Sequence, residues 1–394
     1  MNNTHIYILD KGLTIVAELK SLKPLDNNGN VLIYSKELSD FGKCTFRISA
    51  YDDILDTVGD IFTPHQYHVR IVRGGYTVWQ GAIVDNPHRN KEYLDITAYE
   101  YEYYLSKKLV HRTSPDINGT ANIYRTFSSG SMSDAVTAIM NETIADYHNS
   151  THILKNMTLG TVQNPNFPPG MTSGFFGQAL TGPWAFGDES QAHPGPQLQF
   201  DFHSILYVLK AFGIYSYGDF TIDQNLQFTF QSFLGKDHSS LVFSYGDQGN
   251  IVDYNLPRLG ERMVNDLWGI ATDINGVILS VHQSDSASQS TYGEMEDVAA
   301  YSDVKTQGTL RERVNVELPL LSVPDETNAI VYLNETGYPL GQYDIGDLIT
   351  IKVKNKGVNF NSKRRIVGIT VIVNGTGREE IALQTNVPQP WQHP

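Results

Sequence analysis

A single cysteine, Cys44, stands in 394 residues, which excludes an intrachain disulfide scaffold and any multi-cysteine metal centre. It lies in the strand-like run Gly42-Lys-Cys-Thr-Phe-Arg-Ile48 and reads as a small buried apolar side chain, a reactive thiol being the alternative. Long apolar runs are missing as well. None approaches ~20 residues, so no membrane span is expected. The opening Met1-Asn-Asn-Thr-His-Ile-Tyr-Ile-Leu-Asp10 has no basic segment leading into an apolar one, so no signal peptide is expected. Asn-x-Ser/Thr triplets such as Asn118-Gly-Thr120 then read as chance. Basic charge is scarce: the formal net charge is −14, which argues against broad nucleic-acid binding, while an acidic surface would let DNA pass without sticking. There is no Gly-x-Ser-x-Gly elbow, Walker-type loop, His-Glu-x-x-His or Cys-x-x-Cys. No catalytic, cofactor-binding or metal residues are assigned, no cofactor is implied, and the chain is not expected to be an enzyme.

What is present points to strands. Apolar residues make up 40% and charged residues 18%, a globular balance. The 22 Tyr, 17 Phe and 33 Gly favour strands and tight turns, and the length suggests two to four domains. Residues 1–108 read as all-β. Tyr67–Arg73 alternates into the hairpin dipeptide Gly74-Gly75, Thr77–Val84 returns, and Leu94–Ala98 follows, a spacing that suggests a small barrel or sandwich. Residues 109–245 read as α+β. Ser133 caps a helix over Asp134–Tyr147 with Ala135, Val136, Ile139, Met140 and Ile144 on one side. A second amphipathic helix runs from His203 to a stop at Gly213. Strands are expected over Tyr215–Ile222, Leu226–Phe233 and Leu241–Tyr245, turning at Asp223-Gln-Asn225 and Gly235-Lys-Asp237. Within this region Gly160–Pro196 holds seven Gly and six Pro among aromatics. It is either an arm that docks on a partner or plain disorder. The docking alternative makes Phe175, Phe176, Trp184 and Phe186 the interface residues. Residues 246–394 return to β, with Gln283–Thr291 as a polar, mobile loop and Gly346-Asp347 as the turn that aims Leu348–Val353. Gly235, Asp237, Gly346 and Asp347 are thus the structural turn residues.

Several clusters could carry chemistry, each with a plainer alternative. His148 and His152, near Glu142 and Asp146, could present metal ligands from one helix face, but Asn149-Ser-Thr151 is a poor helix interior. His65 and His68, three apart on a strand, point to opposite faces. Asp52, Asp53, Asp56 and Asp60 could hold calcium or form a charged loop, without the spacing of an EF-hand. Glu294, Glu296 and Asp297 are acidic neighbours whose pairing for glycoside cleavage would need convergent geometry. Lys363-Arg-Arg365 is the densest basic run, too short for a nucleic-acid site and read as an interface or exposed strand entry.

Three stretches taken in order carry a resemblance: Trp79-Gln-Gly81-Ala-Ile83 leading into the aromatic segment Leu94–Leu105; the helix, hairpin and exit strand from His203 to Gly269; and Tyr343–Val353, Lys363–Val373 and Glu379–Leu383. Together the chain resembles the central tail-hub (baseplate hub or tail-tip) proteins of long-tailed bacteriophages. That resemblance implies a mainly β fold with two small β-barrel domains, at 1–108 and 246–394, joined by an α+β region. It implies a structural virion protein, made in the host cytoplasm and placed at the tail tip. Three copies would form a ring closing the distal end of the tail tube, with a lumen for DNA transit and ejection. The implied partners are further copies of the chain, the distal tail or tube ring, the tape-measure protein and a tail fibre or tip protein. The alternatives are a hub-associated cell-wall or polysaccharide hydrolase and a carbohydrate-binding, adhesin-like β protein.

Overall fold

The computed structural model describes residues 4–58, 61–110, 124–127, 132–163, 198–201, 203–216, 218–246, 249–273, 275–301, 304, 306–324, 329–333 and 338–387. The fold is mainly β. Its N-terminal strands are β1 (Thr4–Leu9), β2 (Ile15–Leu19), β3 (Asn30–Glu37), β4 (Lys43–Ser49), β5 (His68–Arg73), β6 (Tyr76–Asp85) and β7 (Tyr93–Tyr99), paired in the order β3-β4-β7-β6-β5-β1-β2. A bridge between Lys23 and Arg47 returns the chain after β2 to β4, so six of these strands run in a circuit. Gly74 and Gly75 take φ of 56° and 88°, the left-handed pair that a two-residue hairpin between β5 and β6 requires. The glycine of Trp79-Gln-Gly81 has a different reason. A Cβ on Gly81 would lie 2.2 Å from the Tyr99 carbonyl oxygen, so only glycine lets β6 approach β7 there. Trp79 is buried and its indole Nε1 donates to the Ser35 carbonyl at 2.8 Å.

A short helix, α1 (Asp53–Val58), lies between β4 and β5, and the middle of the chain holds α2 (Glu102–Lys107), β8 (Tyr124–Phe127), α3 (Met132–His148), β9 (Thr158–Val162), β10 (Leu198–Asp201), α4 (Ile205–Ser216), β11 (Asp219–Ile222) and β12 (Gln227–Gln231). The apolar stripe of α3, from Ala135 to Ile144, packs with Ile205, Leu206, Val208 and Leu209 of α4. Tyr101, Tyr104, Phe220, Phe228 and Phe230 belong to the same core. The sequence places the end of the second helix at Gly213, yet α4 continues to Ser216 and the next strand begins only at Asp219. A glycine inside a helix costs about 1 kcal/mol relative to alanine, less than the buried face of α4 supplies.

The C-terminal circuit consists of β13 (Asp237–Tyr245), β14 (Ile251–Asn255), β18 (Ala329–Leu333), β19 (Leu348–Asn355), β20 (Val358–Asn374) and β21 (Glu379–Asn386). Pairing runs β19-β13-β14-β18-β21-β20 and closes from β20 back to β19. The Leu241–Tyr245 strand therefore joins this circuit through β19, although it falls before residue 246. The other half of β20 pairs with β3, from Gly368–Glu37 to Asn374–Asn30. One continuous hydrogen-bonded sheet and one apolar core thus link the two ends of the chain.

Outside the circuit sits a unit with its own core: β15 (Asp266–Thr272), β16 (Ile278–Ser284), α5 (Ser286–Tyr292), β17 (Glu296–Ala300) and α6 (Gln307–Leu321). Two expectations change here. Gln283–Thr291 is not a mobile loop, because Ser286–Tyr292 is helical. Asp285 caps it by accepting from the Ala287 and Ser288 N–H groups, and Gly293 follows its end with φ 85°. The buried Asn265 amide then donates to Ser288 Oγ and to the Gly293 carbonyl, tertiary bonds that a serine-rich sequence does not advertise. The second change is α6 itself, whose Leu310, Val314 and Leu318 are buried against the sheet. Gly269 permits that packing, since a Cβ there would meet Val314 Cγ2 at 2.3 Å.

Candidate functional site at the junction of three regions

Two glycines far apart in sequence lie back to back where the middle region meets the C-terminal circuit. Gly235 has φ 117° and Gly346 φ 89°. A Cβ on Gly346 would stand 1.9 Å from the Leu234 carbonyl oxygen, and one on Gly235 2.3 Å from the Gly346 carbonyl carbon. Asp347 ties the two turns. Its carboxylate accepts from Lys236 N at 2.7 Å, Asp344 N at 2.8 Å and His238 Nδ1 at 3.0 Å, and Leu348 N donates to the Lys236 carbonyl at 2.9 Å. Asp237 stays exposed and accepts from Ser239 N at 2.8 Å, hydrogen bonding that holds its carboxyl below the usual range. Gly235, Asp237, Gly346 and Asp347 thus occupy one junction.

A buried ion pair fastens it. The Arg365 guanidinium engages both carboxylate oxygens of Asp219. It also donates to the Gly346 carbonyl at 3.0 Å and the Leu234 carbonyl at 2.7 Å, and lies 4.2 Å from the centre of the Phe233 ring. Asp219 in turn accepts from Leu234 N at 3.0 Å. Burial pushes the Asp219 carboxyl up and the Arg365 charge opposes it. All three guanidinium nitrogens of Arg365 and both carboxylate oxygens of Asp219 are hydrogen-bonded, and the bonds join segments distant in sequence, as a structural pair requires.

Beside this knot is a cavity of about 360 Å³ whose wall includes Trp79, Glu100, Glu102, Ile222, Gly235 and Asp344. Its residues come from all three regions. Glu102 Oε1 accepts from Ile222 N at 2.6 Å and Thr221 Oγ1 at 3.1 Å, and Glu100 accepts from Gly42 N at 2.7 Å. Lys36 pairs with Asp344 across the cavity. Burial pulls the Lys36 ammonium down, but Asp344 and Glu100 outweigh it and the net shift is upward. Burial pushes Glu100 well up, and pushes Glu102 from 4.5 to about 7. A carboxyl raised in the folded state binds protons more tightly there than in the unfolded chain. The stability it contributes is therefore present below about pH 4.5 and is lost as pH rises through about 7. Glu102→Gln should remove that loss, so its melting temperature should match the wild type near pH 5 and exceed it near pH 8. A wild-type-minus-variant difference that does not change with pH contradicts this.

The other sequence candidates are dispersed. Helix α3 ends at His148, whose Nε2–H donates to the Met157 carbonyl at 2.7 Å, while His152 stacks on Tyr147 at 4.1 Å. Burial lowers His152 to about 4. His65 meets the Tyr104 hydroxyl at 2.8 Å and His68 the Tyr101 hydroxyl at 3.1 Å. Asp52 accepts from Ile54 N at the start of α1; the side chains of Asp56 and Asp60 lie outside the described residues. Glu294 and Glu296 do converge, with Asp266 and not Asp297 as the third carboxylate, all within 4.8 Å. The parallel register that sets Asp266 beside Glu296 made that association, which sequence separation conceals. Of the basic run, Arg364 and Arg365 are buried and only Lys363 is exposed. Cys44 is buried and burial raises its thiol pKa. Phe175, Phe176, Trp184 and Phe186 lie outside the described residues. Among those described, no helix is long and apolar enough to cross a membrane.

No protein-family model matches the chain, and no curated protein matches it in sequence. Solved structures do match in fold, over nearly the whole length of this chain, and tail proteins are among them. A tail protein from Neisseria meningitidis MC58 superposes with a TM-score of 0.62 at 11% identity, covering 99% of this chain and 98% of that one. The 43 kDa tail protein of prophage MuSo2 from Shewanella oneidensis gives 0.62 at 11% identity, with 98% of each chain covered. The prophage tail protein gp18 from Listeria monocytogenes EGD-e gives 0.54 at 11% identity, covering 98% and 95%. At such identity the likeness is one of fold. The fold is that of phage tail proteins, the class whose hub members the sequence resembles.

Proposed function

We propose that the chain is a structural subunit of a phage tail tip, three copies of which form a ring at the distal end of the tail tube. The observation that carries this is the end-to-end match of fold with tail proteins, at coverage of 95% or more in both directions. The two strand circuits support it further. Each contains six strands, and we take them as two small β-barrels, one on either side of the α+β region and joined through β3 and β20. Three copies then present six similar surfaces to a six-fold tube, and contacts between unlike surfaces close a ring by cyclic symmetry. DNA passes through its lumen without specific binding, in keeping with the acidic net charge. The partners in this role are the distal tube ring, the tape-measure protein and a fibre or tip protein, with the 160–196 arm as a docking element. The junction around Arg365 and Asp219 has no catalytic part here. It holds the two circuits and the α+β region in one fixed relation, as a ring that bears load at the end of a tube demands. Imaging of assembled tails tests the proposal, by whether this chain lies on the tail axis in three copies.

A further inference from the structure

Among the described residues, the unit formed by β15, β16, β17 and α6 leaves one sheet face open. Leu310, Val314 and Leu318 of α6 cover the other face. On the open side His282, Trp268 and Val298 form one row across the strands, and Ser280, Ile270 and Ala300 the next. Trp268 is 42% exposed, Ile270 37% and Val298 56%, and the Trp268 ring stacks on His282 at 4.4 Å. At one end of these rows the Asp266, Glu294 and Glu296 carboxylates converge. His282 and Gln289 donate to Asp266, but among the described residues no Lys or Arg pairs with Glu294 or Glu296. The face is apolar with an acidic margin.

The same chain carries the opposite surface. Leu348–Arg378 contains Lys352, Lys354, Lys356, Lys363, Arg364, Arg365 and Arg378 and no Asp or Glu, in a protein of net charge −14. Arg364 and Arg365 point inward. On the outer face of the β19–β20 hairpin the register sets Lys352 beside Asn361, Lys354 beside Asn359, and Thr350 beside Lys363. Among the described residues Lys352, Lys354 and Lys356 have no carboxylate partner, and Lys363 approaches Asp237 only at 3.9 Å. Each cluster repels itself until a counter-charge arrives. Lysine suits the acidic face in particular, because its aliphatic stem can lie over Trp268 and Val298 while the ammonium reaches the carboxylates.

We propose that the open face of the β15–β17 sheet docks on the β19–β20 hairpin of a second copy of this chain, with Lys352 and Lys354 over Trp268 and Val298 and against Glu294 and Glu296. The contact is head-to-tail and can propagate around a ring. It rests on the ring proposal and names the surfaces that build it.

Charge reversal in trans tests it. Sedimentation equilibrium of the full chain, from micromolar to about 1 mM, compares wild type, Lys352→Glu/Lys354→Glu, Glu294→Lys/Glu296→Lys and an equimolar mixture of the two reversed variants. Each reversed variant alone should associate at least about tenfold more weakly, and the mixture should recover hetero-association. Melting temperatures near wild type establish that the exposed substitutions leave the fold intact. A second arm uses the buried position of Cys44: singly substituted Val298→Cys and Lys354→Cys, one carrying a size tag, are mixed under mild oxidation. In an equimolar mixture random pairing gives unlike disulfides at twice the yield of each like pair; a yield clearly above that ratio supports the contact, and the random ratio or less overturns it. Trimers that survive both reversals overturn the contact and leave the ring intact. A wild type monomeric throughout counts against a ring stable in solution, and the disulfide arm then decides the contact by itself. Duplex DNA bound by wild type and lost in Lys352→Glu/Lys354→Glu, with self-association unchanged, would assign the hairpin to phosphate and overturn the proposal.

Discussion

Gly346→Val is expected to cost roughly 2–6 kcal/mol and to lower the midpoint of the whole unfolding transition. The turn alone argues for part of this, since a β-branched residue at φ 89° stores about 1–3 kcal/mol of backbone strain. The rest comes from the neighbour. A Cβ at 346 would lie 1.9 Å from the Leu234 carbonyl oxygen, and a backbone atom held by Arg365 cannot swing aside as a side-chain tip can. Overpacking of this kind adds about 1–3 kcal/mol. Gly346→Ala should lose most of the same stability, because the first atom already clashes. Urea unfolding measures both; a midpoint within error of wild type would show that the two turns do not meet.

Arg365→Met carries the second large effect. It removes five donors and leaves Asp219, 6% exposed, as an unpaired carboxylate beside the Leu234 backbone. Breaking one partner of a buried pair costs about 3–5 kcal/mol. The sign of the pH dependence follows from burial, which pushes Asp219 up while Arg365 opposes it. Without the guanidinium, Asp219 takes up a proton more readily, so the deficit should shrink as pH falls and be largest at neutral pH and above. The double variant Arg365→Met/Asp219→Asn should recover much of the loss. A single-variant cost below about 1 kcal/mol, or a double variant no better than the single, would mean that the pair does not hold the junction.

How far the sequence reveals this structure depends on the range of the interaction. Local signals were legible: the alternation and Gly74-Gly75 turn of the β5–β6 hairpin, the apolar stripe of α3, and the strand-bearing turns at Gly235 and Gly346. Contacts spanning long sequence distances were not. Arg365 and Asp219 are 146 residues apart, and the Lys-Arg-Arg run, which lies inside β20 and not at a strand entry, gives no sign that two of its three charges point inward. Glu100 and Glu102 lie within an aromatic-rich stretch whose burial could have flagged them, but nothing local specifies Ile222 N as the donor to Glu102. Helix α6 is not legible in the sequence although Leu310, Val314 and Leu318 repeat at helical spacing, because intervening polar residues and Pro319 dilute the pattern. Helix α5 owes its form to an Asp285 cap and the Asn265 hydrogen bonds, which override a composition typical of loops. The pairing of β3 with β20 joins residues more than three hundred positions apart, and no turn chemistry encodes it.

The most direct test of the structural role is electron cryomicroscopy of whole tails with this chain located by an inserted tag. Three copies related by a three-fold axis on the tail axis, at the distal end of the tube and with both strand circuits of each copy facing it, is the predicted result. Six separate copies at the tube's end, or no density for the chain on the axis, would contradict it.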